Sequence, residues 1–224
     1  MKLLIKFPTR ERPIKFFKAL NLYYNLLDDV DNTEFCITID NDDKTMNNDK
    51  ILDKLDKYKN LYYYIGNSKT KIEAVNADLK DFKDYDILLL ASDDMIPQVK
   101  GYDTIIRNEM KKYFPDTDGV LWFFDGNNKN TNTLAILGKK YYDRFNYIYH
   151  PDYKTILCDD ELTIVANKLG KQKRFYNVII KHEHPDIPIY RNNIDNLYQK
   201  NNRFMNHDRI IFKKRKQINF NLNI

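Results

Sequence analysis

The first 125 residues alternate short apolar runs, each closed by polar or turn-forming residues, with segments whose apolar residues recur at helical period. This alternation constrains the fold more than any other feature, because strands separated by helices assemble into a parallel sheet covered on its faces. "KLLIKF" (2–7) reads as a first strand, and Pro8 and Pro13 bracket the turn into an amphipathic helix carrying Ile14, Phe17, Leu20, Tyr24 and Leu27. "EFCITID" (34–40) is a second strand, followed by a polar loop and a short helix from Asp49 to Tyr58. "LYYYIG" (61–66) leads into a helix from Lys71 to Leu79, and "YDILLLA" (85–91) has the continuous apolar character of a strand buried on both faces. "GYDTIIRNEMKKYF" (101–114) reads as helix, and "GVLWFF" (119–124) as a fifth strand ending at Asp125.

Beyond Asp125 the rhythm loosens, with an apolar run at 133–138, helices near 139–146 and 160–169, and a strand at 174–180. The stretch 185–205, rich in Asn with two prolines, suits a lid or an extension around a site. The expected architecture is an α/β domain over 1–185, and a small helical C-terminal extension over 186–224 packed on or beside it.

With 42% hydrophobic and 31% charged residues over 224 positions, the chain can bury a sizeable core and is neither fibrous nor disordered. "MKLLIKFP" has an apolar run of only three residues before Lys6, and no later run approaches the ~18 residues that would span a bilayer. Cys36 and Cys158 lie far apart without CxxC spacing, which supports neither a disulfide framework nor a structural zinc site and makes a reducing, cytoplasmic setting the default. The net charge of +5 is modest and its Lys and Arg residues interleave with acids, against a dedicated nucleic-acid binder. The tail "RIIFKKRK" (209–216) reads first as the solvated face of a terminal helix, and second as a weak contact for an anionic membrane surface.

In open parallel sheets ligands bind outside the carboxyl ends of the strands, so the residues following each strand form one comparison set. They are Thr9, Arg10 and Arg12 after the first strand, Asp40 with Asn41, Asp42 and Asp43 after the second, Ser92, Asp93 and Asp94 after the fourth, and Asp125 after the fifth. Of the acids after the second strand, Asp40 is the one a strand end would point at the crevice. Two adjacent carboxylates repel, so one pKa rises unless a cation or hydrogen-bond donors hold both ionised. A divalent ion such as Mg²⁺ or Mn²⁺ meets that need through oxygen ligands. "SDD" has a plainer reading as a turn or helix cap, and so does "DDE" at 159–161, where acids at a helix start are favoured by capping and by the macrodipole. The functional reading of Asp159, Asp160 and Glu161 is a general base. "KHEHP" closes a predicted strand with His182 and His184, spaced to face one side of an extended chain as extra metal ligands.

Together, "FPTRERP", "ITIDND", "LLLASDDMIP", "DDEL" and "KHEHP" resemble, in order and approximate spacing over residues 1–185, the landmarks of GT-A glycosyltransferases, close to the family 2 type. The resemblance implies a GT-A (Rossmann-like) α/β fold, with a mixed, mostly parallel sheet flanked by helices, binding a nucleoside-diphosphate sugar through Mn²⁺ or Mg²⁺. It implies Thr9 and Arg12 beside the base, Asp40 on base or ribose, Asp93 on ribose or metal, and Asp94 on metal and diphosphate. The pair Asp159 and Asp160 falls where the catalytic base is supplied, with Asp159 favoured, and His184 or His182 matches a late metal ligand. Positions 91 and 92 are Ala and Ser, so the first acid of a full DxD is absent. Lys71 or Arg10 would neutralise the leaving diphosphate, and Asp125 would line the donor site. The implied activity is an inverting transfer of a hexosyl group to a hydroxyl of a glycan, protein or small-molecule acceptor. A nucleotidyltransferase is the enzymatic rival, although "FPTRERP" lacks the glycines of a phosphate cradle. The rival of another class is a non-catalytic binder of glycan or nucleic acid on the same fold.

Overall fold

In the computed structural model, which describes residues 1–185 and 187–222, the early alternation becomes strands β1 (Leu3–Thr9), β2 (Thr33–Asp40), β3 (Leu61–Gly66) and β4 (Ile87–Leu90), separated by helices α1 (Pro13–Asn25), α2 (Asp49–Leu55) and α3 (Lys71–Asn76). The chain continues through β5 (Met95–Pro97), α4 (Tyr102–Tyr113), β6 (Val120–Phe123), β7 (Ile136–Gly138), α5 (Lys139–Asp143) and α6 (Cys158–Lys168). It then forms β8 (Gln172–Phe175), β9 (Ile180–His182), α7 (Asn196–Asn202) and α8 (Met205–Gln217). Pro13 opens α1 where its missing N–H costs nothing, and Asn48 and Thr70 cap α2 and α3 through their side-chain oxygens.

Among the described residues the main sheet has seven strands in the order β3-β2-β1-β4-β7-β6-β8. Neighbours pair in parallel except at β7, which is antiparallel to both β4 and β6. The sheet is therefore mixed and mostly parallel. The chain leaves β1 towards β2 and β3, then returns to place β4 on the other side of β1. That reversal opens a crevice above the carboxyl ends of β1 and β4, the position at which open α/β sheets hold ligands.

The predicted strand at 174–180 divides in two. Gln172–Phe175 joins the sheet beside β6, whereas Ile180–His182 leaves it to pair antiparallel with Met95–Pro97. The three-residue β5 is too short to register as a periodic run, and Pro97 argues locally against a strand; a two-stranded ribbon tolerates it at its end.

Alternate residues of the strands feed two apolar layers. One gathers Phe16, Leu20 and Tyr23 of α1 with Ile106 and Met110 of α4 against Ile5, Phe7 and Ile37. The other gathers Ile72 and Val75 of α3, Tyr141 of α5 and Leu162 and Ala166 of α6 against Leu4, Leu88 and Leu137, with Ile211 and Phe212 of α8 packed at its margin. Full burial of each large aliphatic side chain is worth about 1.5–3 kcal/mol, so the two layers fix the strand ends that carry polar residues. The basic tail is helical, but Arg215 is buried against Glu161 rather than solvated. Both cysteines are buried and free, and among the described residues no helix is long and apolar enough to cross a membrane.

Candidate active site

The ends of β1, β2 and β4 bring Thr9, Arg10, Arg12, Asp40, Asp93 and Asp94 to one rim of the sheet, by virtue of the parallel registers that align Leu3 with Thr33 and with Ile87. Thr9 and Asp40 are both buried at their strand ends. One Asp40 oxygen accepts from Arg10 Nη1 at 2.8 Å and the other from the Ser68 backbone N–H at 3.1 Å. Arg10 also forks onto the exposed Asp42 at 2.7 and 2.9 Å. Asp43, in the loop after β2, turns inward and accepts from the Glu11 N–H at 2.7 Å, tying the two loops together.

The adjacent acids diverge in role. Asp93 faces Arg12 Nη1 at 3.2 Å, while Asp94 accepts a hydrogen bond from the Ser92 hydroxyl and faces His182 Nε2 at 3.6 Å. Burial and the charge of Asp94 push the Asp93 carboxyl up to about 6, against the pull of Arg12. Burial works the same way on Asp94 but is outweighed by His182 and Ser92, which hold its carboxyl well below the usual range. Ala91 is fully buried, so position 91 faces the core and not the crevice.

The β5–β9 ribbon explains why a histidine 88 positions later meets Asp94. Its register sets Met95 opposite His182, and the Glu183 N–H donates to the Asp94 carbonyl at 2.8 Å. His182 Nδ1 lies 3.8 Å from Asp125, whose carboxylate accepts from the N–H groups of Asn127 and Asn128 and from the Thr133 hydroxyl. Burial would lower the imidazole pKa, but the two flanking carboxylates raise it to about 9. The His184 ring stands 5.1 Å from that of His182, edge to face, and 5.9 Å from the Tyr198 ring.

α6 supplies the remaining acids. Asp160 accepts from the Thr131 hydroxyl at 2.8 Å. Glu161 is buried and engaged by Tyr153 and Arg215, which removes it from the alternatives for a base. Burial and the neighbouring Asp160 raise the Asp159 pKa, opposed by Lys71. Lys71, exposed at the start of α3, bears electrostatically on Asp94, His182 and Asp159 alike.

The sequence reading missed Asp195, the cap of α7, which receives Arg12 Nε and Nη2 at 2.7 Å each. Its signal was the cap pattern "DNLY", which marks a helix start but names no partner for Arg12. Among the described residues no group of three or more His, Cys, Asp or Glu side chains is arranged to hold a metal ion. What is present is a pair of protein donors, Asp94 and His182. Asp125 stands at the other ring nitrogen, a contact that orients the ring with Nε2 towards Asp94. A two-donor set fits a divalent ion only if a ligand's oxygens complete the shell.

No family model and no curated protein matches the sequence. Solved structures do. A mannosyltransferase, PcManGT from Pyrobaculum calidifontis, in complex with GDP-Man and Mn²⁺, is similar at TM-score 0.60 and 12% identity over 79% of this chain and 55% of that one. S. aureus TarS 1–349 in complex with UDP-GlcNAc is similar at TM-score 0.62 and 16% identity over 81% of this chain and 58% of that one. The 4-diphosphocytidyl-2C-methyl-D-erythritol synthase of Anaerococcus prevotii is similar at TM-score 0.57 and 15% identity, over 86% and 95%. The chain spans a little over half the length of the first two. These likenesses and the sheet topology define the class of fold, which is GT-A, Rossmann-like α/β.

Proposed function

We propose that the protein is a glycosyltransferase that moves a sugar from a nucleoside-diphosphate sugar to an acceptor hydroxyl, with inversion at the anomeric carbon. The observation that carries this reading is the conjunction at the switch point of Asp94 and His182 with the acids of α6 across Lys71. Thr9, Arg12, Asp40 and Asp93 line the nucleoside end. Asp94 and His182 would hold a divalent ion, Mn²⁺ or Mg²⁺, whose chemistry when bound is to neutralise charge on the departing diphosphate. Lys71 adds a second positive charge to that side.

Asp159 takes the proton from the acceptor hydroxyl as its oxygen bonds to the anomeric carbon and the bond to the diphosphate oxygen breaks. A carboxyl pKa raised by burial suits Asp159 to take a proton. The Asp160 backbone N–H donates to Asp159 Oδ1 at 3.1 Å and keeps that carboxylate in place. The proton ends on Asp159 and the electron pair on the nucleoside diphosphate.

A screen of UDP-, GDP-, CDP- and dTDP-sugars with Mn²⁺ tests the reading by thermal unfolding and donor hydrolysis. At least one sugar nucleotide should raise the midpoint only in the presence of metal; no response from any combination would overturn it. The likeness to the erythritol synthase over 86% of this chain and 95% of that one favours a second reading, a nucleotidyltransferase. That reading requires stabilisation by a nucleoside triphosphate and release of pyrophosphate.

A further inference from the structure

Arg12 sits at the head of α1 with Lys15 and Lys18 at successive three-residue steps, which places the three cations along one helix face. That face lines a cavity closed by Asp93 and Asp94 after β4, by Ile96 of β5, and by Glu183 and Pro185 after β9. Arg12 is ion-paired twice, whereas Lys15 and Lys18 make no salt bridge or hydrogen bond among the described residues. Both ammonium groups therefore stay available to an anion that enters the cavity, Lys18 from an exposed position and Lys15 from a partly buried one.

The structure also holds a carboxylate in that field. Asp195 reaches back from the cap of α7 and takes the Arg12 guanidinium fork-to-fork, with both contacts at 2.7 Å, the geometry with which arginine receives carboxylates and phosphates. The Lys15 charge bears on Asp195 as well as on Asp93. A second tail contact, Lys200 to Glu11 at 2.8 Å, anchors the same segment beside the loop that carries Arg12.

We propose that Arg12, Lys15 and Lys18 form a subsite for a phosphate group, and that Asp195 occupies its arginine fork from within the chain until a phosphate displaces it. The phosphate belongs either to a phosphorylated acceptor or to the donor's own diphosphate. The inference rests on the glycosyltransferase reading only for that assignment, since the subsite itself is tested without a sugar nucleotide.

The test titrates the full chain with glucose 6-phosphate by calorimetry, with glucose as the uncharged control. Removing the internal competitor in Asp195→Asn should tighten binding about ten-fold, because an occupied fork weakens the apparent affinity by the fraction of time it is open. Lys15→Gln/Lys18→Gln should weaken it by about ten-fold and Lys15→Arg/Lys18→Arg should restore it, while the charge-matched Lys50→Gln/Lys57→Gln should leave it unchanged. Thermal unfolding of each variant separates lost binding from lost folding. Unchanged or weaker binding in Asp195→Asn, equal binding of glucose, or no effect of the lysine pair overturns the proposal. Repeating the titration with UDP or GDP and Mn²⁺ at saturation assigns the source. Undiminished sugar-phosphate binding identifies an acceptor's phosphate; displacement identifies the donor's.

Discussion

Asp159, Asp160 and Glu161 are chemically near-equivalent in sequence, and only their surroundings sort them. Glu161 meets Arg215 Nε at 2.7 and 2.8 Å and the Tyr153 hydroxyl at 2.7 Å, all of them buried. Its work is to join α6 to α8. Arg215→Met should therefore cost about 3–5 kcal/mol by stranding a buried carboxylate, and Glu161→Leu/Arg215→Met should recover most of that loss. Urea unfolding of the three proteins decides it; equal losses in single and double variants would contradict the pairing argument. The roles proposed for Asp94 and Asp159 divide just as sharply. Asp94→Ala should abolish metal-dependent nucleotide binding, whereas Asp159→Asn should keep binding and lose about 10²–10⁴ in turnover. Equal loss of binding in both would remove the distinction between ligand and base.

At the scale of elements, the start of α6 depends on a residue far along the chain. Leu157, immediately before the helix, has φ 63°, a left-handed conformation unfavourable for a side chain of its shape. The preceding loop is held by Asp208 of α8, fully buried, which accepts from the N–H groups of Lys154, Thr155 and Ile156 at 2.8 to 3.0 Å. Asp208→Ala leaves the buried Thr155 N–H without its acceptor, at about 1–3 kcal/mol, and the partly buried N–H groups of Lys154 and Ile156 to be satisfied by water. Amide exchange should accelerate at 154–158 ahead of the rest of the protein, and turnover should fall while nucleotide binding persists. Uniform acceleration over the whole chain would show that Asp208 acts on global stability alone. Such a contact is invisible in sequence, because "NHD" at 206–208 carries no mark of its target. The same holds for the β5–β9 ribbon and for Lys6, fully buried beside Thr38 and 3.7 Å from Asp78 although in sequence it only ends an apolar run. By contrast, β1 to β4 and their helices were legible, since period and turn chemistry agree there residue by residue. The strand-end acids were legible as a set for the same reason. Their partners were not: pairing across 88 positions, or 183 in the case of Arg12 and Asp195, is set by topology rather than by local pattern.

At the scale of the whole molecule, two buried or nearly buried acids tie distant parts of the chain to the sheet's faces and set how the fold responds to acid. Asp103 of α4 accepts from the N–H groups of Asp28 and Asp29 at 2.9 and 3.1 Å and pairs with Arg107. Arg107 in turn donates to the Met1 carbonyl and the Thr33 hydroxyl at 2.9 and 2.7 Å. Asp118 pairs with Arg144 and Lys171 at 2.7 and 2.9 Å, joining the segment before β6 to those following α5 and preceding β8. Burial pushes both carboxyls up, but the donors and cations outweigh it, so both titrate below their ordinary value in the folded chain. The unfolded chain then takes up its protons first, near the ordinary aspartate value of about 4. The stability these two groups contribute is complete above that value and is lost as pH falls through the depressed folded values. Urea midpoints measured from pH 7 to pH 2 should hold steady until about pH 4 and then fall. In Asp103→Asn/Asp118→Asn the midpoint should start lower at pH 7 and fall less steeply below pH 4, because two of the protons that unfolding would take up are gone. An acid limb as steep as in the parent protein would place the coupling elsewhere among the carboxylates.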